Sequence, residues 1–446
     1  MLIEFKVANY RSIHAEQTLS MVANADKELP QNLISCDHVP GLKGTNLVKA
    51  VALYGANASG KSNVVAALRF FAVFVRESAT KLQPGAPTGA QPFKLEPACL
   101  TQPSKFEITA VINGIRTLYG IEMTRERVTS EYLVAYPKGR PQVWFERDWN
   151  AAKGKYEWSK STAHFKHDDA LREKTRENAT FLSVATQFAH AEAKSITDWF
   201  DLQLNPLDTL ASLSRASRAR HMLTDEFWRE KIAPALAKAD LGITGVQIRQ
   251  PNELELALEK LRMLPRSEEE WRRMIHGSQQ VSTDSPPDDQ LMKELEILQM
   301  PEFLHQGSNA TSVPLHFFEE ESTGTQRYAA LLAEMLVARA LAKVLIGDEF
   351  DSSLHPILIR ELLSFFFSSA GFGAPGQLIF TTHNPLLLDQ TLLRRDQIWF
   401  TEKDKEGATR LYPLTDFKPR KDESLVKGYL AGRYGGIPFI PEGLKF

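Results

Sequence analysis

The chain is poor in cysteine. Only Cys36 and Cys99 occur among its 446 residues, with no CxxC pair and no local cysteine–histidine cluster, which argues against a disulfide framework and against a structural zinc site. A reducing cytoplasm is the expected compartment. Charge of one sign is not in excess either: 53 lysines and arginines stand against 55 aspartates and glutamates, a formal net charge of -2. No global positive field draws in nucleic acid, so any DNA contact must come from a local patch. A long uncharged apolar run is also missing. The longest apolar stretch, "YAALLAEMLVARALAKVLIG", is interrupted by Glu334, Arg339 and Lys343, which is costly in lipid and ordinary on a helix with one solvated side. No membrane span is expected. The opening "MLIEFKVANYRSI" lacks the positive-then-apolar layout of a signal peptide and alternates like a strand. No internal repeat is visible.

The chain does have a composition that is 43% apolar, enough for one large domain or two ordinary ones. Residues 1 to about 80 read as two or three strands, then the apolar strand "VKAVALYG", a Gly/Ser loop and the helix "SNVVAALRFFAVFVRE". From about 90 to 150, "KFEITAVING", "IRTLYGIEMT" and "PQVWFERDW" alternate β-branched and aromatic residues, predicting an antiparallel meander. Helices are expected from about 168 to 300, including "NELELALEKLRML" and "RSEEEWRRMIHG", followed by the polar "SQQVSTDSPPDDQ". After 311 the pattern returns to a strand, a helix starting near Thr325, the strand "KVLIGDEF", a helix from His355 and the strand "GQLIFTTH". The expected fold class is α/β, with an N-terminal lobe at 1–200, a helical insertion at 201–310 and a C-terminal lobe at 311–446.

Three segments carry chemistry. "GANASGKS" matches G-x-x-x-x-G-K-[ST] directly between an apolar strand and a helix. Glycines let backbone N–H groups curl around a β-phosphate, Lys61 reaches the β/γ oxygens, the Ser62 hydroxyl binds Mg²⁺, and the helix N-terminus favours the anion. A glycine-rich turn matching by chance is the alternative, and the strand-to-helix context argues against it. "VLIGDEF" is an apolar strand ending in two carboxylates. At the C-terminal end of a central parallel strand, Asp348 can hold a hydrated Mg²⁺ while Glu349 points at the attacking water; alone, such a pair is equally an exposed strand end. "LIFTTH" ends a second apolar strand, so that His383 can hydrogen-bond a γ-phosphate or the lytic water, or simply cap a helix. The order of the three segments favours the catalytic reading.

The series "GANASGKS", "ESTGTQR", "VLIGDEFDSSLHP" and "FTTHNP", with the opening "FKVANYRSI", resembles the ABC-type ATPases of the SMC, RecF and OLD class. These motifs span residues 55 to 386. The resemblance implies a P-loop ATPase head carrying a β-meander and an inserted helical subdomain, with ATP and Mg²⁺ as ligands. Carried over by position, Gly55, Gly60, Lys61 and Ser62 hold phosphates and Mg²⁺, flanked by Asn57 and Asn63. Asp348 is the metal aspartate, Glu349 the base, Asp351 part of a loop crossing a dimer interface, and His383 the switch histidine. Arg11 sits where related ATPases place a basic residue near the phosphates; it also reads as a surface arginine at a strand end. Gln187, ending "FLSVATQF", either joins the Mg²⁺ and water shell or is an ordinary helix-surface glutamine.

In "ESTGTQR", Ser322, Thr323 and Gly324 precede a helix and present an anion site. In the resembling proteins this signature closes on the γ-phosphate held by another subunit, which implies an ATP-dependent homo-dimer and accommodates a higher homo-oligomer. The segment departs from LSGGQ: Glu321 replaces leucine and only Gly324 remains of the two glycines. A pure N-cap at Ser322 or Thr323 is the simpler reading. The tail from "RDQIWF" onward resembles bacterial ATPases grouped with the RloA proteins and the AriA ATPase subunit of the PARIS anti-phage system. OLD-type proteins append a Toprim nuclease that needs more than the 63 residues following His383. Asp389, Asp396, Asp404 and Glu406 lack its Glu-then-DxD layout. The resemblance therefore implies an ATPase that acts through a separately encoded effector, a nuclease, released by a phage trigger. The alternative is a RecF-like repair ATPase clamping DNA, to which Arg215, Arg218 and Arg220 of "SRASRARH" would contribute unless they form a solvated helix face. A transporter subunit fits least, because it needs coupling to membrane helices.

Overall fold

A computed structural model describes residues 1–160, 162, 164–166, 169–207, 219–220, 222–239, 241–252, 300–368, 375–420 and 422–438. The chain divides into two compact units, one formed by Met1–Ala211 and Glu334–Phe446, the other by Ser212–Ala333.

The first unit opens with β1 (Leu2–Ala8) and β2 (Gln17–Ser20), a short antiparallel pair β3 (Leu33–Ser35) and β4 (Asn46–Val48), and the strand β5 (Ala50–Gly55), which leads into helix α1 (Lys61–Lys81). The meander follows as β6 (Ser104–Ile112), β7 (Ile115–Met123), β8 (Val128–Tyr136), β9 (Gln142–Asn150) and β10 (Lys155–Trp158). Together with the opening strands it forms a seven-stranded antiparallel sheet in the order β10-β9-β8-β7-β6-β1-β2. Short helices α2 (Asp169–Glu173), α3 (Phe181–Gln187) and α4 (Ala191–Asp198) come next, then β11 (Leu204–Leu207).

A second sheet runs β11, β15 (Val344–Gly347), β16 (Gln377–Thr381), β5, β17 (Ile398–Lys403), β18 (Thr409–Pro413). It is parallel except for the β17–β18 hairpin. Strand β5 is buried at every position and β15 likewise, as strands covered on both faces must be, and both read as near-continuous apolar runs. Register pairs Leu53 with Thr381, Phe380 with Gly347 and Gly55 with Thr401. The C-terminal ends of β5, β15, β16 and β17 therefore open side by side.

Helix α1 supplies the core shared by the two sheets. Val64, Leu68, Phe71 and Val75 recur at helical spacing and bury with Phe5 of β1, Phe106 and Tyr119 of the meander, and Val51, Leu53, Ile346 and Ile379 of the parallel sheet. The Phe71 ring stacks near Phe106 and Tyr119, both at 5.8 Å between centroids. Trimming it to alanine would cost about 3–5 kcal/mol. The far end of α1 is held by α3, whose first turn is fixed by a fully buried carboxylate: Glu131 accepts from the Phe181 and Leu182 amides, the Tyr119 hydroxyl and the Arg147 guanidinium.

In the second unit, helix α5 (Glu226–Lys238), capped by Asp225, accompanies a three-stranded antiparallel sheet of β12 (Ile243–Arg249), β13 (Met300–Gln306) and β14 (Ser312–His316). Helix α6 (Thr323–Leu341) begins in this unit, and its residues from Glu334 on belong to the first. Helix α7 (Pro356–Phe367) and the short α8 (Leu425–Leu430) complete the described helices used below. Two sequence expectations change. Residues from 201 were read as insertion, yet β11 at 204–207 is an edge strand of the parallel sheet. The stretch expected to be helical also contains β12, built where "ITGVQIR" alternates like a strand, while β14 is a strand after 311 as expected. The segments "NELELALEKLRML", from Glu253 onward, "RSEEEWRRMIHG" and "SQQVSTDSPPDDQ" lie outside the described residues.

Candidate functional site

The turn from β5 into α1 is built around two glycines. A Cβ on Gly55 would lie 2.5 Å from Thr401 Oγ1 and 2.6 Å from the Thr401 carbonyl; one on Gly60, with φ at 108°, would lie 2.7 Å from Thr409 Cγ2. Neither position accepts a side chain, because the β17–β18 hairpin fills the floor beneath the loop. Ser59 Oγ and Thr401 Oγ1 are hydrogen-bonded at 2.6 Å, and Thr409 Oγ1 donates to the Ser59 carbonyl at 3.1 Å. Ser12, from the loop after β1, joins them: its hydroxyl accepts from Asn63 Nδ2 at 2.6 Å and lies 2.8 Å from Thr409 Oγ1.

Lys61, 6% exposed, folds back over its own loop and donates to the Gly55 and Ala56 carbonyls at 2.8 and 3.0 Å. Burial pushes its pKa down, against the upward pull of Asp348, Glu349 and Asp351. Ser62 and Asn57 are exposed at the mouth of the loop. Ser62 Oγ donates to Asp348 Oδ1 at 3.1 Å, linking the start of α1 to the end of β15.

One hydroxyl organises the carboxylates. Thr381 Oγ1, 1% exposed at the end of β16, donates to Asp348 Oδ1 at 2.6 Å and accepts from the Glu349 amide at 2.7 Å. Glu349 itself has φ at 47°, a left-handed conformation costing a non-glycine residue about 1–2 kcal/mol, and its side chain is exposed. Thr382 Oγ1 donates to Asp351 Oδ2 at 2.8 Å and accepts from the Asn384 amide at 3.0 Å. His383 is thus held between two fixed threonine and asparagine contacts, exposed, and within the field of the other groups. Its pKa is lowered first by partial burial and then by Lys61, with Asp351, Glu349 and Asp348 opposing.

The first unit therefore assembles Gly55, Gly60, Lys61, Ser62, Asn63, Asp348, Glu349, Asp351 and His383 at one sheet edge. Arg11 turns elsewhere: its Nε donates to Gln91 Oε1 at 3.2 Å, and the guanidinium lies 5.5 Å from the Tyr10 ring centroid. Ser12 beside it makes the loop contact. Gln187 is not brought to this group. Ser183, four residues earlier on α3, bonds the Ala79 amide and the Arg76 carbonyl. At ~1.5 Å per residue Arg76 is about 22 Å along α1 from Lys61. Gln187 is exposed there. The sequence reading missed Ser12, Thr381, Thr401 and Thr409, although Ser12 stands within "FKVANYRSI" and Thr381 directly precedes "TH" on the histidine strand.

Ser322 and Gly324 lie in the second unit. Ser322 is the cap of α6: its Oγ accepts from the Thr325 amide at 3.1 Å, and its carbonyl accepts from the Gln326 amide at 3.0 Å. The helix starts at Thr323, two residues before the expected start. Glu321, at the position of the signature leucine, pairs with His305 Nε2 at 2.6 Å. Ser322 and Thr323 are exposed. Arg220 lies over the Phe318 ring at 5.9 Å; Arg215 and Arg218 fall outside the described residues. In the tail Asp389 pairs with Arg360, Asp396 with Arg394, and Asp404 accepts from the Glu406 and Ala408 amides. Among the described residues no helix is long and apolar enough to cross a membrane.

Comparison with known families matches residues 50–389 to the family described as "AAA domain, putative AbiEii toxin, Type IV TA system". No curated protein matches. The matched span runs from β5 through His383 and includes every residue of the cluster just described except Ser12, Thr401 and Thr409. The chain belongs to this AAA ATPase family.

Proposed function

We propose that this AAA-domain protein is an ABC-type ATPase of the SMC, RecF and OLD kind, which hydrolyses ATP to ADP and phosphate in the Gly55–His383 cluster. One observation carries the reading: Ser62 Oγ and Thr381 Oγ1 both converge on Asp348 Oδ1, at 3.1 and 2.6 Å, and the Asp348 charge acts on the ammonium of Lys61. The donor set fits Mg²⁺, because a hydroxyl and a carboxylate already within hydrogen-bonding distance are hard oxygen ligands. The glycine loop fits a phosphate chain, because Gly55 and Gly60 stand where a Cβ would collide with Thr401 and Thr409 and so leave only backbone at those two turns. Ser62 and Asp348 would hold the ion. When bound, Mg²⁺ neutralises charge on the β- and γ-phosphate oxygens.

The remaining steps belong to the chain's own groups. Lys61 exchanges its two loop carbonyls for phosphate oxygens, and the loop amides and the α1 N-terminus stabilise the same anion. Glu349, aimed out of the strand by its left-handed backbone, accepts a proton from the attacking water. His383, neutral at pH 7 because its pKa is lowered, donates one hydrogen bond to the γ-phosphate or orients that water. Asp351 is held by Thr382 at the rim.

Ser322 and Gly324 serve the γ-phosphate of a second copy, giving a homo-dimer with two shared sites and a basis for a larger assembly. Exposure of the capped end of α6 supports this. Such an assembly would act in anti-phage defence, holding a separately encoded effector, a nuclease, until a phage trigger arrives. The resemblance to RloA-like and PARIS ATPases and the family's toxin description support the assignment.

The test mixes two inactive chains. Lys61→Ala removes the phosphate lysine. Gly324→Asp places a carboxylate in the first turn of α6, where the helix dipole tolerates it but an incoming phosphate does not. Each alone should be inactive, and the mixture should regain one working site per dimer. Normal turnover by Gly324→Asp alone would refute the shared site. Native mass of the protein co-expressed with its genomic neighbour, with and without ATP, tests the effector: a complex containing the neighbour is expected, and a chain that never retains it would remove the scaffold role.

A further inference from the structure

The local sequence offers no cysteine–histidine cluster, but the fold makes one. His14 follows the loop bearing Arg11 and Ser12, while Glu96 and Cys99 sit on the turn leading to β6. The ligand atoms of His14, Glu96 and Cys99 all lie within 4.8 Å of one another. His14 Nε2 and Glu96 Oε2 are 3.4 Å apart. Two ligands ~2.0–2.1 Å from a tetrahedral zinc are separated by about 3.3–3.4 Å, so this edge already has the length the metal requires.

Packing holds His14 and Cys99 before any ion arrives, and the exposed Glu96 carboxylate lies beside His14. The His14 ring stacks on Phe93 at 5.1 Å, 14° from parallel. Cys99 is 2% exposed and packs with Phe93 and Ala408. Asn9 ties the two segments together: its Nδ2 donates to the Cys99 and Gln102 carbonyls, both at 2.9 Å, and its Oδ1 accepts from the Phe93 amide at 2.9 Å. The Asn9 amide also donates to the His14 carbonyl at 2.9 Å. A preorganised imidazole and thiol with a carboxylate beside them, buried on the sulfur side and open to water beyond His14 and Glu96, is a mixed-donor set for a zinc-class cation. A zinc-class cation binds the thiolate, so the Cys99 proton leaves to solvent as the cation binds.

We propose that His14, Glu96 and Cys99 form a site for one zinc-class divalent cation, with the fourth position taken by water. The site is distinct from the Mg²⁺ position at Ser62 and Asp348. Bound there, the ion clamps the loop whose Ser12 contacts Asn63 and Thr409, and so braces the outer wall of the nucleotide loop. This assignment stands on its own geometry and does not depend on ATP hydrolysis.

The test uses the full chain, stripped with a chelator and titrated with Co²⁺ in buffer free of ATP and Mg²⁺. One equivalent should bind per chain with the near-ultraviolet charge-transfer band of a cobalt–thiolate bond. The band should be lost in Cys99→Ala, persist in Cys36→Ala, and be lost or shifted to at least tenfold higher Co²⁺ in His14→Ala and Glu96→Gln. The last two positions are 40% and 51% exposed in their side chains, so these variants fold. Absence of a thiolate band in the unsubstituted chain, its persistence in Cys99→Ala, or full-strength binding by His14→Ala would overturn the site.

Discussion

Replacing Thr381 by valine removes one hydroxyl and almost no volume. That hydroxyl makes two contacts, a 2.6 Å bond to the Asp348 carboxylate and a 2.7 Å bond from the Glu349 amide. A hydrogen bond to a charged acceptor contributes ~1.5–3 kcal/mol and a neutral one about 1 kcal/mol. Asp348 is only half-buried and keeps its bond from Ser62, so water recovers part of the first contribution. A net loss of about 2 kcal/mol in unfolding free energy follows, measurable by denaturant titration at unchanged slope. The functional loss is larger in proportion, because Thr381 orients a metal-binding carboxylate and presets the backbone of the proposed base. Loss of such a supporting contact weakens metal affinity or activity by about 10–100-fold. The assay is ATP turnover against Mg²⁺ concentration: Thr381→Val should need much more Mg²⁺ and reach a lower plateau, while Thr381→Ser should stay near the unsubstituted protein. A Thr381→Val protein with the same Mg²⁺ dependence and stability would refute the role of this hydroxyl.

Two further outcomes follow from the same cluster. Gly60→Ala forces a Cβ against Thr409 at a φ of 108°; strain and overlap together should cost about 2–5 kcal/mol, read as a lowered unfolding midpoint and lost nucleotide binding. For His383 the folded pKa lies below its ordinary 6.5, so the native state binds fewer protons than the unfolded one. Its contribution to stability is complete above about 6.5 and is lost as pH falls through that window to the folded pKa. Lys61→Met removes one of the two depressing causes, so the His383 resonance should titrate at higher pH in that variant; an unchanged or lowered midpoint would contradict the placement.

What could be read from the sequence was local. The loop Gly55–Ser62, the pair Asp348–Glu349 and His383 each sit at the end of an apolar run, where strand length and a change of residue type mark the position. The parts that were missed depend on strand order. Thr401 and Thr409 lie under the glycine loop only because β17 and β18 continue the sheet beyond β5, which no spacing in the chain announces. Strand β11 is four residues long and contains Pro206, so it carries neither alternation nor length. The two readings of Gln187 stayed open because a glutamine ending an apolar helix says nothing about where that helix docks; Ser183 decides that, at the far end of α1, and leaves Gln187 on the helix surface. His14 and Cys99 meet across a distance in sequence that no motif scan spans.

The central claim is that this cluster hydrolyses ATP with Glu349 as the base. Glu349→Gln keeps the size and the hydrogen-bonding shape of the side chain while removing its basicity. Turnover and equilibrium ATP binding should be measured on the same preparation. ATP should bind as tightly as in the unsubstituted protein, with turnover lower by ~10²–10⁴-fold, the usual contribution of a general base. Undiminished turnover in Glu349→Gln would contradict the assignment.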